Sequence, residues 1–410
     1  MAHHWLDWLC QQPGVQRVEM AGSLRRWQPT IGSVDLVVAS DQPEKVLAAF
    51  AAHPEVRSMQ RIDGHTCRLE MDGGARVQLC VDVPERFGSR LQFFTGSKQH
   101  NQRLSQLASR RGLSLGARGL SGARGEVTCT SEEEVYAALD LPYIPPELRE
   151  DGHEIDVALS GALPHLIECG DLVADLHCHT TWSDGSGTIL DMAEKARALG
   201  LKVLAITDHS CLLTVEKWRQ QAEYIREARR KLGKSLRLLH GIEVDISEDG
   251  ELDFPAEALA EMDVVVASLH DHLTQPRHQI TRRLLRAMQN PLVDIIAHPT
   301  GRLLFELPAA DLDWDEVLPA ARRSGVALEI NSNPLRLDLD EVHARQAVEL
   351  GIPLTIDTDS HRSEQLERSK YGVSVARRAW LEAPAVLSTW GEERLMKWLR
   401  QRRAARSLSC

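Results

Sequence analysis

From Asp171 onward, apolar segments of strand length alternate with amphipathic segments of helix length, and no other feature confines the fold so tightly. The buried-strand candidates are Leu172–Leu176, Val203–Thr207, Leu236–His240, Val264–Ser268, Val293–Ala297, Ala327–Ile330 and Leu354–Asp357. Seven such units in succession predict an α/β fold, a distorted (βα)7 barrel one unit short of the (βα)8 form.

In a βα barrel, residues just past the carboxyl ends of the strands converge on one face although they are far apart in sequence. His177, His179 and Asp184 follow the first strand segment, His209 the second, Glu243 the third, His270 the fourth, His298 the fifth, and Asp359 with His361 the seventh. The sixth offers none and closes on Asn331. His240, His272, His278 and His343 lie off this pattern and are read as surface or hydrogen-bonded core residues.

Nine ligands of this mix exceed the needs of one ion and suit about three divalent ions. Imidazole with carboxylate favours Mn²⁺ or Zn²⁺, or Fe, over Mg²⁺, which prefers oxygen and water. Glu243 is placed to bridge two ions. Such a cluster suits hydrolysis of a phosphoester without a protein nucleophile, with His177, His179, Glu243, His298 and Asp359 as the catalytic set. Arg302, after the His298-Pro-Thr-Gly turn, is a candidate for binding a phosphate oxygen.

The motifs DLHCHTTWSDG, ITDHS, GIEVD with SLHDH, and AHPTGR followed by DTDSH resemble those of the PHP (polymerase and histidinol phosphatase) family of metal-dependent phosphoesterases. The resemblance runs from residue 171 to about 385. It implies His177, His179, Glu243 and Asp359 on one ion, Glu243, His270 and His298 on a second, and Asp184, His209 and His361 on a third.

The first ninety or so residues read as a small α+β unit, with strands at Val34–Val38 and Ala75–Val81 and an amphipathic helix over Pro43–Ala52. From Ser97 to about Leu166 the pattern turns helical, with Lys98, Arg103, Arg110 and Arg111 along one stretch and Thr130–Glu134 opening a further helix. Pro142, Pro145 and Pro146 then break it. Ala21-Gly-Ser-Leu-Arg-Arg26, Thr30–Leu36, Phe93–Asn101 and Pro142–Arg149 resemble the palm and thumb of bacterial family X DNA polymerases. The resemblance implies a nucleotidyltransferase-like palm over 1–96, a thumb-like region and linker over 97–170, and the PHP domain over 171–410. It also implies DNA ends as partner, nucleotides as a further ligand, and a role in DNA repair. The family's amino-terminal lyase-like and helix-hairpin-helix modules are expected to be missing, and DNA affinity to suffer accordingly.

One departure from the family bears on chemistry. Three carboxylates, two of them at i and i+2 on one strand, share a face and hold Mg²⁺ in these polymerases; here the positions carry Ser33, Asp35 and Gln78. Asp82 shares the face of Gln78 but stands roughly 13 Å away at ~3.3 Å per residue, too far to replace it. Nucleotide addition is expected to be lost or very weak, leaving a degenerate palm that positions DNA. Gly22, Ser23 and Arg25 form a candidate phosphate-binding turn there, and the basic helix a candidate strand contact.

Composition excludes little. The 48 basic against 59 acidic residues give a net charge of −11, which argues against a generally basic nucleic-acid-coating protein, yet bound cations would reverse the sign at an acidic site. Eight scattered cysteines without a C-x-x-C pair fit small buried hydrophobes in a reducing cytoplasm, and no apolar run approaches a membrane span. The leading expectation is a 3′–5′ exonuclease on DNA ends. A phosphatase of small esters, a gap-filling polymerase and a non-catalytic DNA scaffold stay open at this point.

Overall fold

The computed structural model describes residues 2–406, so Cys410 lies outside the described residues. Chain contacts divide them at residues 163 and 164 into two units.

The first unit is built on a five-stranded sheet, β1 (Val15–Ala21), β2 (Val34–Ser40), β3 (Val56–Arg61), β4 (Thr66–Met71) and β5 (Arg76–Asp82), in the order β1-β2-β5-β4-β3. Only the β2–β5 pair is parallel. Strand alternation sorts its residues. Leu36, Val38, Leu69, Leu79 and Val81 turn to one face and pack under Trp5 and Leu9 of the helix Ala2–Cys10 and Phe50 of the helix Pro43–Ala51. Burying each such side chain is worth about 1.5–3 kcal/mol. Val37, Ala39 and Cys80 turn to the other face, under Phe87 and Leu91 of the helix Phe87–Thr95. Asp35 and Gln78 share that second face and are register partners.

Beyond Ser97, whose hydroxyl caps the helix Lys98–Arg110 by accepting from the His100 N–H at 3.0 Å, the chain is not purely helical as the sequence suggested. A small antiparallel sheet intervenes: β6 (Ser114–Gly116), β7 (Gly119–Gly122) and β8 (Gly125–Val127). These strands are three or four residues long and glycine-rich, too short to show a hydrophobic period. The helix Glu132–Ala138 then starts with a reciprocal capping box between Ser131 and Glu134.

The second unit carries seven parallel strands in sequential order: β9 (Ala174–Asp175), β10 (Val203–Ile206), β11 (Arg237–Asp245), β12 (Val264–Ser268), β13 (Ile295–Ile296), β14 (Ala327–Asn331) and β15 (Leu354–Asp357). The first and last meet just past their carboxyl ends, where the Asp359 N–H donates to His177 O (2.9 Å) and the His179 N–H to Ser360 O (2.8 Å). The result is a nearly closed (βα)7 barrel. Inside it, Leu387, Leu395 and Leu399 from the carboxyl-terminal segment pack with Ala174, Val203 and Val264 of the strands. The strands sit where the apolar segments placed them, although β9 and β13 are only two residues long. No helix among the described residues is long and apolar enough to cross a membrane.

Candidate metal centre

All nine side chains picked out from the barrel sequence come together at the carboxyl end of the barrel, although Glu243 lies within β11, which runs on to Asp245 and not only to His240 as expected. Glu243, fully buried near the end of β11, lies at the middle. Its Oε2 is 2.9 Å from His209 Nδ1, 3.2 Å from His177 Nε2 and 3.4 Å from His179 Nε2. Its Oε1 is 3.1 Å from His298 Nε2 and 3.4 Å from His270 Nε2. Asp359 Oδ1 is 3.0 Å from His179 Nε2, and Asp184 Oδ2 is 3.2 Å from His361 Nε2 and 3.7 Å from His209 Nε2. Within this centre, three groups of side chains offer donors close enough to share an ion: His177, His179 and Glu243; His209, Glu243 and His270; and His179, Asp184, His209 and His361.

These donors fit cations better than they fit one another. His177 Nε2 and His179 Nε2 face each other at 3.2 Å and can share at most one proton. They converge with His209 on Glu243 Oε2, a buried oxygen that accepts no hydrogen bond. The imidazoles of His209 and His361 both pack against that of His179, with centroids 4.3 and 4.2 Å away. Burial and mutual charge oppose one another across the cluster. Burial works to raise Glu243, yet His177, His209 and His270 hold it well below the usual carboxylate range. Burial likewise opposes charge on His270, but Glu243 and Asp245 lift it to about 10. Burial, with Arg336 adding to it, pushes His298 down to about 3.

The backbone is bent to deliver these groups. His298 and Asp359 stand at φ +25° and +51°, a region costly for residues with a β-carbon and concentrated at functional sites. Gly185 lets the Asp184 loop fold back onto its own start, where a β-carbon would meet the His179 carbonyl carbon at 2.8 Å.

A second ring of partners fixes the imidazoles, and the sequence reading missed most of it. His177 Nδ1 meets Glu329 Oε1 at 2.7 Å, which leaves Nε2 for the centre. Glu329 Oε2 accepts from the His298 N–H (2.7 Å) and the Asn331 amide (3.1 Å), and Asn331 also donates to Asp359 (3.2 Å). The sixth strand therefore does serve the site, one step removed. A buried glutamate two residues before Asn331, on the same face of β14, was the signal available. His270 Nδ1 is held by Asp245, and His361 Nδ1 lies 2.9 Å from Asp359 O. Asp208 accepts from Thr180, Ser183 and Gln221 and so pins the loop bearing His179 and Asp184.

The mouth is a cavity of about 410 Å³ lined by Asp184, His209, His270, Arg336, Asp359 and His361 among others. Arg302 is turned away: its guanidinium donates to the carbonyls of Arg336 and Leu337. Arg336 is the cation at the mouth, its Nε 3.5 Å from Asp359 Oδ2. The off-pattern histidines with recorded partners have structural ones. His240 stacks on Trp218 (4.8 Å, 10°) and His343 on Trp314 (4.0 Å, 25°).

In the first unit, Ser33 donates to Asp35 Oδ1 (3.1 Å), and Gln78 accepts from Arg68 (3.2 Å). Gly22, at φ +62°, lies against Asp35 so closely that a β-carbon would fall 1.9 Å from its carboxylate. Burial raises Asp35. Asp82 is locked to Arg90 at 2.5 Å. Arg25 donates to Thr95 (2.8 Å) and Glu132 (2.7 Å), and Arg26 donates to Glu150 (3.0 Å). Of the basic helix, Arg103 is paired with Asp156 and Arg111 with Asp140. A cavity of about 640 Å³ over β3–β5, lined by Ser33, Arg68, Arg76 and Gln78 among others, exceeds the barrel mouth in size but gathers no comparable donors.

Comparison with known proteins places both units. Residues 90–150 match the DNA polymerase beta thumb family and residues 175–333 the PHP domain family. The chain is 40% identical over 391 residues, 93% of its length and 68% of the relative's, to the DNA polymerase/3'-5' exonuclease PolX of Bacillus subtilis (strain 168). It is 31% identical over 229 residues, 53% of its length and 91% of the relative's, to a probable phosphatase of Thermoanaerobacter sp. (strain X514). A probable phosphatase of Acetivibrio thermocellus is 32% identical over 205 residues, 48% of this chain and 82% of that one. With barrel, site and near full-length similarity in agreement, the chain belongs to the bacterial family X DNA polymerases that carry a PHP domain.

Proposed function

We propose that this protein is a divalent-metal-dependent phosphodiesterase that removes nucleotides from DNA ends, a 3′–5′ exonuclease working in DNA repair. The observation that carries the reading is the convergence of His177, His179, His209, His270 and His298 on the one buried carboxylate of Glu243. His177, His179, Glu243 and Asp359 would hold one ion, Glu243, His270 and His298 a second, and Asp184, His209 and His361 a third, with Mn²⁺ or Zn²⁺ suiting the donors. Bound there, the ions would supply an activated water and neutralise charge building on the phosphate. The side chains supply the rest. Glu329 and Asp245 fix which ring nitrogen of His177 and His270 faces inward, and Arg336 presents a cation to a phosphate oxygen at the mouth.

The palm keeps one of the three expected carboxylates, and that one lies close against the Gly22 backbone and accepts from Ser33. We assign it a role in holding DNA or a nucleotide, with polymerisation lost or very weak. The similarity to probable phosphatases favours a second reading, hydrolysis of small phosphomonoesters at the same centre. The test is hydrolysis of end-labelled single- and double-stranded DNA and of p-nitrophenyl phosphate by wild type and His298→Ala with Mn²⁺. Stepwise shortening of the 3′ end, abolished in the variant, is expected. A strong preference for the monoester would replace the first reading with the second.

A further inference from the structure

Phe305 is 88% exposed, the most solvent-accessible large apolar side chain among the described residues. It is not at the end of a slack loop. Leu303 and Leu307 exchange backbone hydrogen bonds at 2.9 and 2.8 Å and force Phe305 to the tip of a tight turn, at φ +70°, where an aromatic residue is rare.

That turn follows β13 and is fastened to the loop following β14. The Leu304 N–H donates to Leu335 O at 2.6 Å, and the Arg302 guanidinium grips the carbonyls of Arg336 and Leu337. The first loop carries His298 of the metal centre, and the second leaves the strand that bears its supporting residues Glu329 and Asn331. Asp359 at the centre is met by Arg336, whose buried Nε makes no hydrogen bond; its chain neighbour Leu335 is 45% exposed and is bonded through its carbonyl to the turn that bears Phe305. The turn holds the ring out in water on a backbone outlier of the kind that gathers at binding sites.

We propose that Phe305 is the stacking platform for a nucleobase of a single-stranded DNA end whose phosphodiester lies at the metal centre, with Arg336 on the phosphate. The proposal rests on the DNA-end reading above. Stacking on one ring is tolerant of sequence, because every base has a π face. It also demands an unpaired base, so frayed or mismatched ends are preferred over paired ones.

The experiment compares kcat/KM for two end-labelled single-stranded oligonucleotides, one with natural bases and one abasic at its last nucleotides. Wild type should favour the natural strand by roughly 5- to 150-fold, the range for one base on one aromatic ring. Phe305→Ala should bring that ratio close to one, and Phe305→Trp should restore it. A wild-type ratio already near one, or a Phe305→Ala ratio equal to wild type, overturns stacking while leaving the nuclease reading intact. Failure of wild type to cut any oligonucleotide while it hydrolyses methyl p-nitrophenyl phosphate overturns the DNA reading, and this proposal with it.

Discussion

Glu329 touches none of the three donor groups through an ion, yet replacing it should weaken metal binding. Its Oε1 faces His177 Nδ1 at 2.7 Å, and its Oε2 accepts from the His298 N–H at 2.7 Å. In Glu329→Gln one of those oxygens becomes an amide that can only donate. Whichever way the amide is turned, a buried donor then faces a donor: the His298 N–H with Asn331 on one side, or the ring N–H of His177 on the other. An unsatisfied buried donor costs about 1–3 kcal/mol, which is roughly a 5- to 150-fold change in an equilibrium constant. The usual 10–100-fold effect of removing such a supporting carboxylate falls inside that range. Protein stripped with chelator would be titrated with Mn²⁺ by calorimetry, and oligonucleotide hydrolysis followed against Mn²⁺ concentration. The midpoint should rise 10–100-fold with circular dichroism unchanged. A wild-type midpoint would refute the role given to Glu329.

Further outcomes can be checked in the same way. Primer extension with Mg²⁺ or Mn²⁺ should show at most traces of nucleotide incorporation; robust incorporation that disappears in Asp35→Ala would contradict the reading of the palm. His240 is pushed down to about 4 by burial, so the fold holds it neutral, and the stability this gives is present above the unfolded value near 6.5 and lost as pH falls towards 4. Denaturant unfolding at pH 7.5 and 5 should reveal a loss on the order of 2 kcal/mol from this group, absent in His240→Asn; equal pH slopes in both proteins would speak against it. Arg149 is fully buried against Glu132 at 2.5 Å, so Arg149→Leu leaves a buried carboxylate short of one partner and should destabilise the first unit by about 3–5 kcal/mol in urea unfolding. A loss under about 1 kcal/mol would show that Arg25 alone suffices for Glu132.

The barrel was legible because seven apolar segments each carry a strong, local signal, and the convergence of the nine candidate ligands was legible because placement at strand ends follows from topology. Side-chain direction was not. Arg302 and Arg336 are both arginines in mouth loops, and only the backbone carbonyls at 336 and 337 decide that the first is a clamp and the second faces Asp359. Glu329 was hidden for a similar reason: a charge inside an apolar strand reads as an anomaly until the ring of His177 is seen against it. The β6–β8 sheet escaped because turns at Gly119 and Gly125, not hydrophobic period, define it. In the palm, Ser33, Asp35 and Gln78 could be picked out from sequence as candidate positions, whereas the close approach of the Gly22 backbone to Asp35 needed the fold.

Anomalous diffraction from crystals of the protein loaded with Mn²⁺ would test the central claim most directly. Peaks should fall among His177, His179, Asp184, His209, Glu243, His270, His298, Asp359 and His361, with Glu243 within bonding distance of more than one. Fully loaded crystals with no peak beside Glu243, or with peaks only elsewhere on the chain, would contradict the account.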